Sequence, residues 1–206
     1  MDITYHRFNG VASGKEIAMS SLPSYYLSPE EYLAVEREAE YKSEYVDGVM
    51  YAMAGGSERH NLIAGNLITE LNIRLREALC RVYPSDLKVR VPNSKRFFYP
   101  DVSVVCDETQ FADDERDVVL NPILLVEVLS ESTAAFDRGK KFQSYQQIES
   151  LQEYLLVSQD EHLVEHYLRR EDGHWLYTKV SGPDEAVILP SLQCELPLGG
   201  IYNKLT

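Results

Sequence analysis

The segment Ile123-Leu124-Leu125-Val126-Glu127-Val128-Leu129 constrains the fold of this chain more than any other. Six of its seven residues are apolar, and the run is too short for a buried helix. Such a run predicts a central β-strand covered on both faces, because a half-exposed strand would alternate apolar with polar. A strand of that kind needs a partner on each edge and a layer on each face, and 206 residues can supply both around one core. Glu127 interrupts the run. An ionised carboxylate in a central strand is costly unless it is paired or bound to a metal.

The surrounding pattern supplies the layers. Residues 1–25 mix Gly, Ser and polar residues without periodicity and are expected as a loosely held extension. Ser28-Pro29-Glu30-Glu31 predicts a capped helix start, with Pro29 at the first helical position and Glu31 closing a capping box, and the helix should run to about Glu38. Glu44 to Ala54 reads as a hairpin turning at Asp47-Gly48. From Ser57, Leu62, Ile63, Leu67, Leu71, Leu75 and Leu79 lay one apolar stripe along a long helix. Val82 to Val91 and Phe97 to Cys106 read as paired strands around Pro92-Asn93-Ser94-Lys95, and the acidic loop Asp107 to Asp117 follows. After the buried strand, a second helix should run from Ser132 or Thr133 to Gln147. Strands at 153–157, 163–169, 175–180 and 186–189 follow it. This order predicts an α/β fold, a mixed β-sheet flanked by α-helices in a single domain over 26–206.

Charge and cysteine usage narrow the function. Twenty Lys and Arg face 33 Asp and Glu, a net −13, which argues against a chain that coats nucleic acid or an anionic membrane through its overall field. A local basic track remains, since Arg74 to Arg96 holds seven basic residues and two acids. Phe97, Phe98 and Tyr99 beside it suit either base stacking or packing. The three cysteines, Cys80, Cys106 and Cys194, are odd in number and widely spaced, which predicts no disulfide framework and a reducing, cytoplasmic setting. No apolar run approaches the ~20 residues that span a bilayer, and Met1 to Arg7 lacks the profile of a signal peptide.

Two acids carry the candidate chemistry. Asp101 follows Pro100 at the head of the apolar Val102-Ser103-Val104-Val105, and Glu127 stands in the buried run. Either acid alone is readily explained by a nearby Lys, Arg or backbone amide. On neighbouring strands the two would repel unless a cation lay between them, and a separation within ~6 Å would let them share one hard ion such as Mg2+ (or Mn2+). The third element is Asp137-Arg138-Gly139-Lys140-Lys141, with Tyr145 four residues on. A lysine one turn into that helix can reach back over the end of its parent strand and stabilise charge developing on a phosphate. A solvated helix face is the alternative.

Taken in order, Pro100-Asp101, Glu127 in Leu125-Val126-Glu127-Val128-Leu129-Ser130, and Asp137, Lys141 and Tyr145 resemble the Uma-type endonucleases. These are a branch of the PD-(D/E)XK, or restriction-endonuclease-like, superfamily. Tyr45 to Met53, Ser57-Glu58-Arg59-His60 and Leu151 to Val157 are also similar, so the resemblance covers about residues 26–180. It implies a restriction-endonuclease-like mixed sheet, Asp101 and Glu127 as ligands of a divalent metal, and the Val128 carbonyl as a further ligand. It further implies catalytic roles near the site for Lys141, Glu44 and His60, the last equally explicable as a core or capping histidine. One departure is plain. The superfamily places a lysine two residues after the glutamate, and here that residue is Leu129; the helix lysine Lys141 takes its place in the Uma-type pattern. The implied activity is metal-dependent hydrolysis of phosphodiesters in nucleic acid, DNA above RNA, by a homodimer. A non-catalytic nucleic-acid-binding or regulatory module that keeps the fold is the alternative.

Two other motifs carry less. His162-Leu163-Val164-Glu165-His166 spells the inverted zinc-protease pattern, which needs a helix. Its period-two surroundings predict a strand, on which the two histidines stand ~13 Å apart at the sheet surface, too far to share one zinc. Ser130-Glu131-Ser132 lacks the setting of a nucleophile and reads as a helix start.

Overall fold

A computed structural model describes residues 26–205, so the extension expected over residues 1–25 lies outside the described residues. The first helix, Pro29–Glu38 (α1), begins as expected. Ser28 Oγ accepts the Glu31 amide at 3.2 Å, and the Glu31 carboxylate accepts the Ser28 amide at 2.7 Å. Strands Ser43–Val46 (β1) and Val49–Ala52 (β2) form the hairpin. Asp47 and Gly48 turn it with φ of 49° and 100°, left-handed values that glycine adopts without strain.

The second helix, Glu58–Arg74 (α2), stops short of the full apolar stripe. Its last residues give way to a turn, Leu75 is buried at its end, and Leu79 is 79% exposed. The two long strands expected next each break in two. Cys80–Pro84 (β3) and Lys88–Val91 (β4) replace the first, and Arg96–Phe98 (β5) and Val102–Cys106 (β6) replace the second. Pro84 and Pro100 stand at the breaks, where a residue without an amide donor costs a ladder least. The halves join different sheets: β4 pairs β5, and β3 pairs β6. Asp101 therefore lies at a bend just before β6 rather than inside a strand.

The central strand is Leu124–Leu129 (β8), buried at every residue between antiparallel β6 and parallel Glu153–Ser158 (β9). The six-stranded sheet continues from β9 through Leu163–Arg169 (β10) to Trp175–Ser181 (β11), with β3 at its other edge. Along β8, Leu124, Val126 and Val128 pack under α2 with the small hairpin Ala186–Leu189 (β12) and Cys194–Pro197 (β13) and the turn of helix Leu198–Ile201 (α5). Leu125 and Leu129 face the opposite core, which holds Val89, Val91, Phe98, Phe142, Tyr145 and Tyr154. The period of two puts Glu127 on that second face.

The second layer is a five-stranded sheet of order β2-β1-β5-β4-β7, where β7 is Val118–Val119. Between the sheets lies the crossover from β8 to β9, a helix in three parts. These are Ala134–Phe136 (α3), a π-turn at Asp137–Lys141, and Phe142–Tyr145 (α4). The mixed sheet flanked by helices is thus as the sequence implies. β13 and α5, unexpected from the pattern, close the α2 face with Leu196, Leu198 and Ile201.

One expectation is corrected, and the open readings of the aromatic and basic residues are narrowed. Cys80 and Cys106 are Cα partners across β3 and β6 and form a disulfide, which their separation of 26 residues concealed. Phe97, Phe98 and Tyr99 are all buried and pack rather than present their rings. The basic track of Arg74 to Arg96 is not one surface. Arg74 pairs with Glu70, Arg96 with Asp47, and Lys88 is buried against Asp117.

The acidic loop is held by that last pair and by Arg37, whose guanidinium bonds both Asp113 and Asp117. Hydrogen bonds from Arg37 and Lys88 pull the Asp117 pKa from 3.8 to about 2. Asp117→Asn leaves the Lys88 ammonium buried without its counter-charge. It should cost about 2 kcal/mol in denaturant unfolding at pH 7, between an exposed pair and a fully buried one. Because the folded pKa is depressed, this stability is present above the unfolded value and lost as pH falls through about 2. The gap between variant and parent should therefore narrow below about pH 4. A gap of constant size would contradict the assignment.

Candidate active site

Three carboxylates, from β1, β8 and the crossover helix, converge on one lysine. Lys141 projects from the π-turn and is buried, whereas its neighbour Lys140 is exposed. Its Nζ lies 2.8 Å from Glu44 Oε1, 2.8 Å from Glu127 Oε1 and 3.7 Å from Asp137 Oδ1. Glu44 is on β1, Glu127 on β8 and Asp137 one turn before Lys141 on its own helix. The Tyr145 hydroxyl donates to Glu127 Oε1 at 2.9 Å, so the 137-141-145 spacing brings three side chains to one face. Side-chain donors also reach two carbonyls of the π-turn: Tyr154 Oη bonds the Asp137 carbonyl and Ser144 Oγ that of Lys140. Such turns are frequent at functional sites.

Asp101 approaches from the other side. Val102 opposes Val126 in the β6–β8 ladder, and the same register carried one step further sets Asp101 opposite Glu127. Its Oδ2 accepts the Val128 amide at 2.7 Å and bonds His60 Nε2 at 3.1 Å. His60 stands in the first turn of α2, whose N-cap Ser57 accepts the His60 amide at 3.1 Å. Ser57 donates to Gln159 Oε1 and Gln159 Nε2 donates to the Leu129 carbonyl, each at 2.7 Å. These two bonds pin the helix that carries His60 to the end of the strand that carries Glu127. Gly56 is required beside them, since a Cβ there would fall 2.6 Å from His60 Nδ1. Neither Gln159 nor Asp137 announces itself by residue type; the signal for Asp137 is its helical spacing from Lys141.

The electrostatics are those of a site short of positive charge. Burial pushes the Glu127 pKa well up; Lys141 opposes this, and Asp137, Asp101 and Glu44 add to the rise. Asp137 is likewise raised, mainly by burial. Burial alone would lower the Lys141 pKa, but Glu127, Glu44 and Asp137 reverse that and hold its ammonium charged. The bond to Asp101 raises the His60 pKa against the effect of burial.

A divalent cation suits this donor set chemically. Every protein bond to Asp101 falls on Oδ2, and those to Glu44 and Glu127 fall on Oε1, so each of the three keeps an oxygen with no bond to the described residues. Oxygen donors are what Mg2+ takes. Among the described residues, no three His, Cys, Asp or Glu side chains stand in ready-made ligand geometry, because Lys141 is what joins the acids here. All of these groups line a cleft of ≈580 Å³ between β2, the start of α2 and the β8–α3 loop.

The other motifs lie elsewhere. Leu163 to His166 is strand, as expected, and His162 rests on the Tyr202 ring 4.5 Å away. His166 is buried rather than at the sheet surface, because Glu153, fully buried on β9, takes its Nε2 at 2.6 Å. Glu165 pairs with Arg138. Ser130 Oγ accepts the Thr133 amide at 3.2 Å, as at a helix start.

The mixed sheet flanked by helices is a fold shared with a solved structure. A crystal structure described as "a putative nuclease belonging to DUF820", from Anabaena variabilis, superposes with a TM-score of 0.70 at 18% identity, over 85% of this chain and 97% of that one. The chain belongs to the Uma2 family, whose model, described as "Putative restriction endonuclease", matches residues 29–199. It is 40% identical over 190 residues to the uncharacterized protein slr1290 of Synechocystis sp., covering 90% of this chain and 96% of that protein. With sll1609 of the same organism it shares 38% over 161 residues, 78% of this chain and 91% of that protein.

Lys141→Met removes the positive charge common to Glu44, Glu127 and Asp137. It should cost about 3 kcal/mol in denaturant unfolding at pH 8. The Glu127 and Asp137 pKa values, already raised, would then rise further, so the folded state would bind more protons than the unfolded one, and the deficit should shrink toward pH 5. A loss of equal size at both pH values would mean that Lys141 acts by packing alone.

Proposed function

We propose that this protein is a divalent-metal-dependent nuclease that hydrolyses phosphodiester bonds of DNA in the cleft above β8. The observation that carries the reading is that Asp101, Glu44 and Glu127 each have one oxygen held by the protein and one without a bond to the described residues, with Lys141 buried between Glu44 and Glu127. Asp101, Glu127 and the Val128 carbonyl are the assigned ligands. A dication bound there would supply what the site lacks, neutralising a scissile phosphate and acidifying a water.

The chain's own groups do the rest. The Lys141 ammonium, paired with Glu44 and Glu127, is the group that would orient an attacking water or a phosphate oxygen. Tyr145 and Lys141 fix the Glu127 carboxylate from one side. His60 and the Val128 amide fix Asp101 from the other. Preorganised charges of this kind require no movement during reaction. No covalent intermediate is needed. Leu129, in place of the usual lysine, packs into the core, and Lys141 reaches the same carboxylate from the crossover helix.

The reading goes with a homodimer, two sites on one nucleic acid; for a cytoplasmic setting the cysteine argument falls with the Cys80–Cys106 disulfide. Among the described residues no helix is long and apolar enough to cross a membrane. A non-catalytic module with the same fold is the competing reading, favoured by the acidic surface. Cleavage of linear and single-stranded DNA should appear with Mg2+ or Mn2+, vanish with EDTA and fall at least about 100-fold in Asp101→Ala and Glu127→Ala, the usual scale for losing a charge-stabilising group. Cleavage unchanged in both variants would assign the activity to a contaminant, and absence of cleavage in the parent would favour the module.

A further inference from the structure

Resting on the nucleic-acid reading above, we propose that Tyr51 is the platform on which an unpaired nucleobase stacks, so that the cleft takes single-stranded nucleic acid in preference to an intact duplex. Tyr51 and Glu44 are Cα partners across the β1–β2 hairpin, and cross-strand partners present their side chains on the same face. Glu44 is bonded to Lys141, so the tyrosine ring stands beside the reacting groups. The ring lines the cleft and is 54% exposed, whereas the aromatic Tyr99 in the same wall is buried. Met53, Ala54 and Phe136 add apolar surface to the same cleft.

The charge of the cleft selects between the two forms of nucleic acid. A duplex is gripped chiefly through its phosphates by Lys and Arg. Among the described lining residues there are six carboxylates, including Glu131 and Asp160 at the rim, against one lysine that is already committed to Glu44 and Glu127. Stacking is indifferent to that balance, because every base presents a π-face. A volume of ≈580 Å³ has room for a group of nucleotide size. The tyrosine sits on a short strand at the edge of its sheet, where an entering chain meets no further strand.

Fluorescence anisotropy with a labelled oligothymidylate of about twelve nucleotides and a hairpin duplex of matched length tests this, with Ca2+ replacing Mg2+. The parent should bind the single strand more tightly than the hairpin. Tyr51→Ala should weaken the single strand about 5- to 150-fold, and Tyr51→Phe, which keeps the ring, about twofold or less. Since Tyr51 is exposed, unchanged circular dichroism is the control for folding. Equal binding of the two probes by the parent, or a Tyr51→Ala variant that binds the single strand as the parent does, would overturn the stacking inference alone. Failure of the parent to bind either probe would overturn the nucleic-acid reading with it.

Discussion

The ammonium of Lys141, buried among Glu44, Glu127 and Asp137, is the interaction on which the rest of this structure depends. Glu44 belongs to the five-stranded sheet, Glu127 to the six-stranded sheet, and Lys141 to the helix packed between them. One cation thus ties three elements, and the Arg96–Ser144 and Tyr154–Asp137 hydrogen bonds add further ties between the crossover helix and the two sheets. Apolar burial supplies most of the stabilisation here as in other domains, but it is non-directional. Ion pairs of this kind bring register rather than net stability. The π-turn belongs to the same arrangement, turning Asp137 and Lys141 inward while Arg138 and Lys140 stay at the surface.

The sequence made much of this legible, for identifiable reasons. Glu127 is readable because one acid in an apolar heptapeptide has nowhere to go but the core, and β8 is buried at every residue. The capping box at Ser28 and the Asp47-Gly48 turn are local chemistry, and local chemistry survives folding. The places where expectation and structure part are non-local. The breaks at Pro84 and Pro100 depend on a second sheet that no short window reveals. The Cys80–Cys106 disulfide depends on a pairing of strands 26 residues apart. His166 needed Glu153 as a partner before it could be buried, and Phe97 to Tyr99 could be told from stacking residues only by what covers them. Of the site, the residue types and helical spacing were visible, whereas the bonds of Gln159 to Ser57 and Leu129 were not.

Acidity is a property of the site as well as of the whole chain. A net charge of −13 and six carboxylates in one cleft are unfavourable for a polyanionic ligand unless positive charge arrives from outside the protein. The open oxygens of Asp101, Glu44 and Glu127 are where that charge would be received. Burial raises the Glu127 pKa, the neighbouring acids add to the rise, and Lys141 opposes it. In the superfamily pattern such a lysine would follow on the same strand. Here Leu129 fills a core position and, among the described residues lining the cleft, the one lysine comes from the crossover helix and reaches the Glu127 carboxylate.

Mn2+ titration followed by electron paramagnetic resonance tests the central claim most directly, because it reads the bound ion without requiring cleavage. The account predicts saturable binding by the parent and at least about tenfold weaker binding by Glu127→Gln, which keeps the shape of the side chain and removes its charge. Equal binding by the two proteins, or none by the parent, would contradict it.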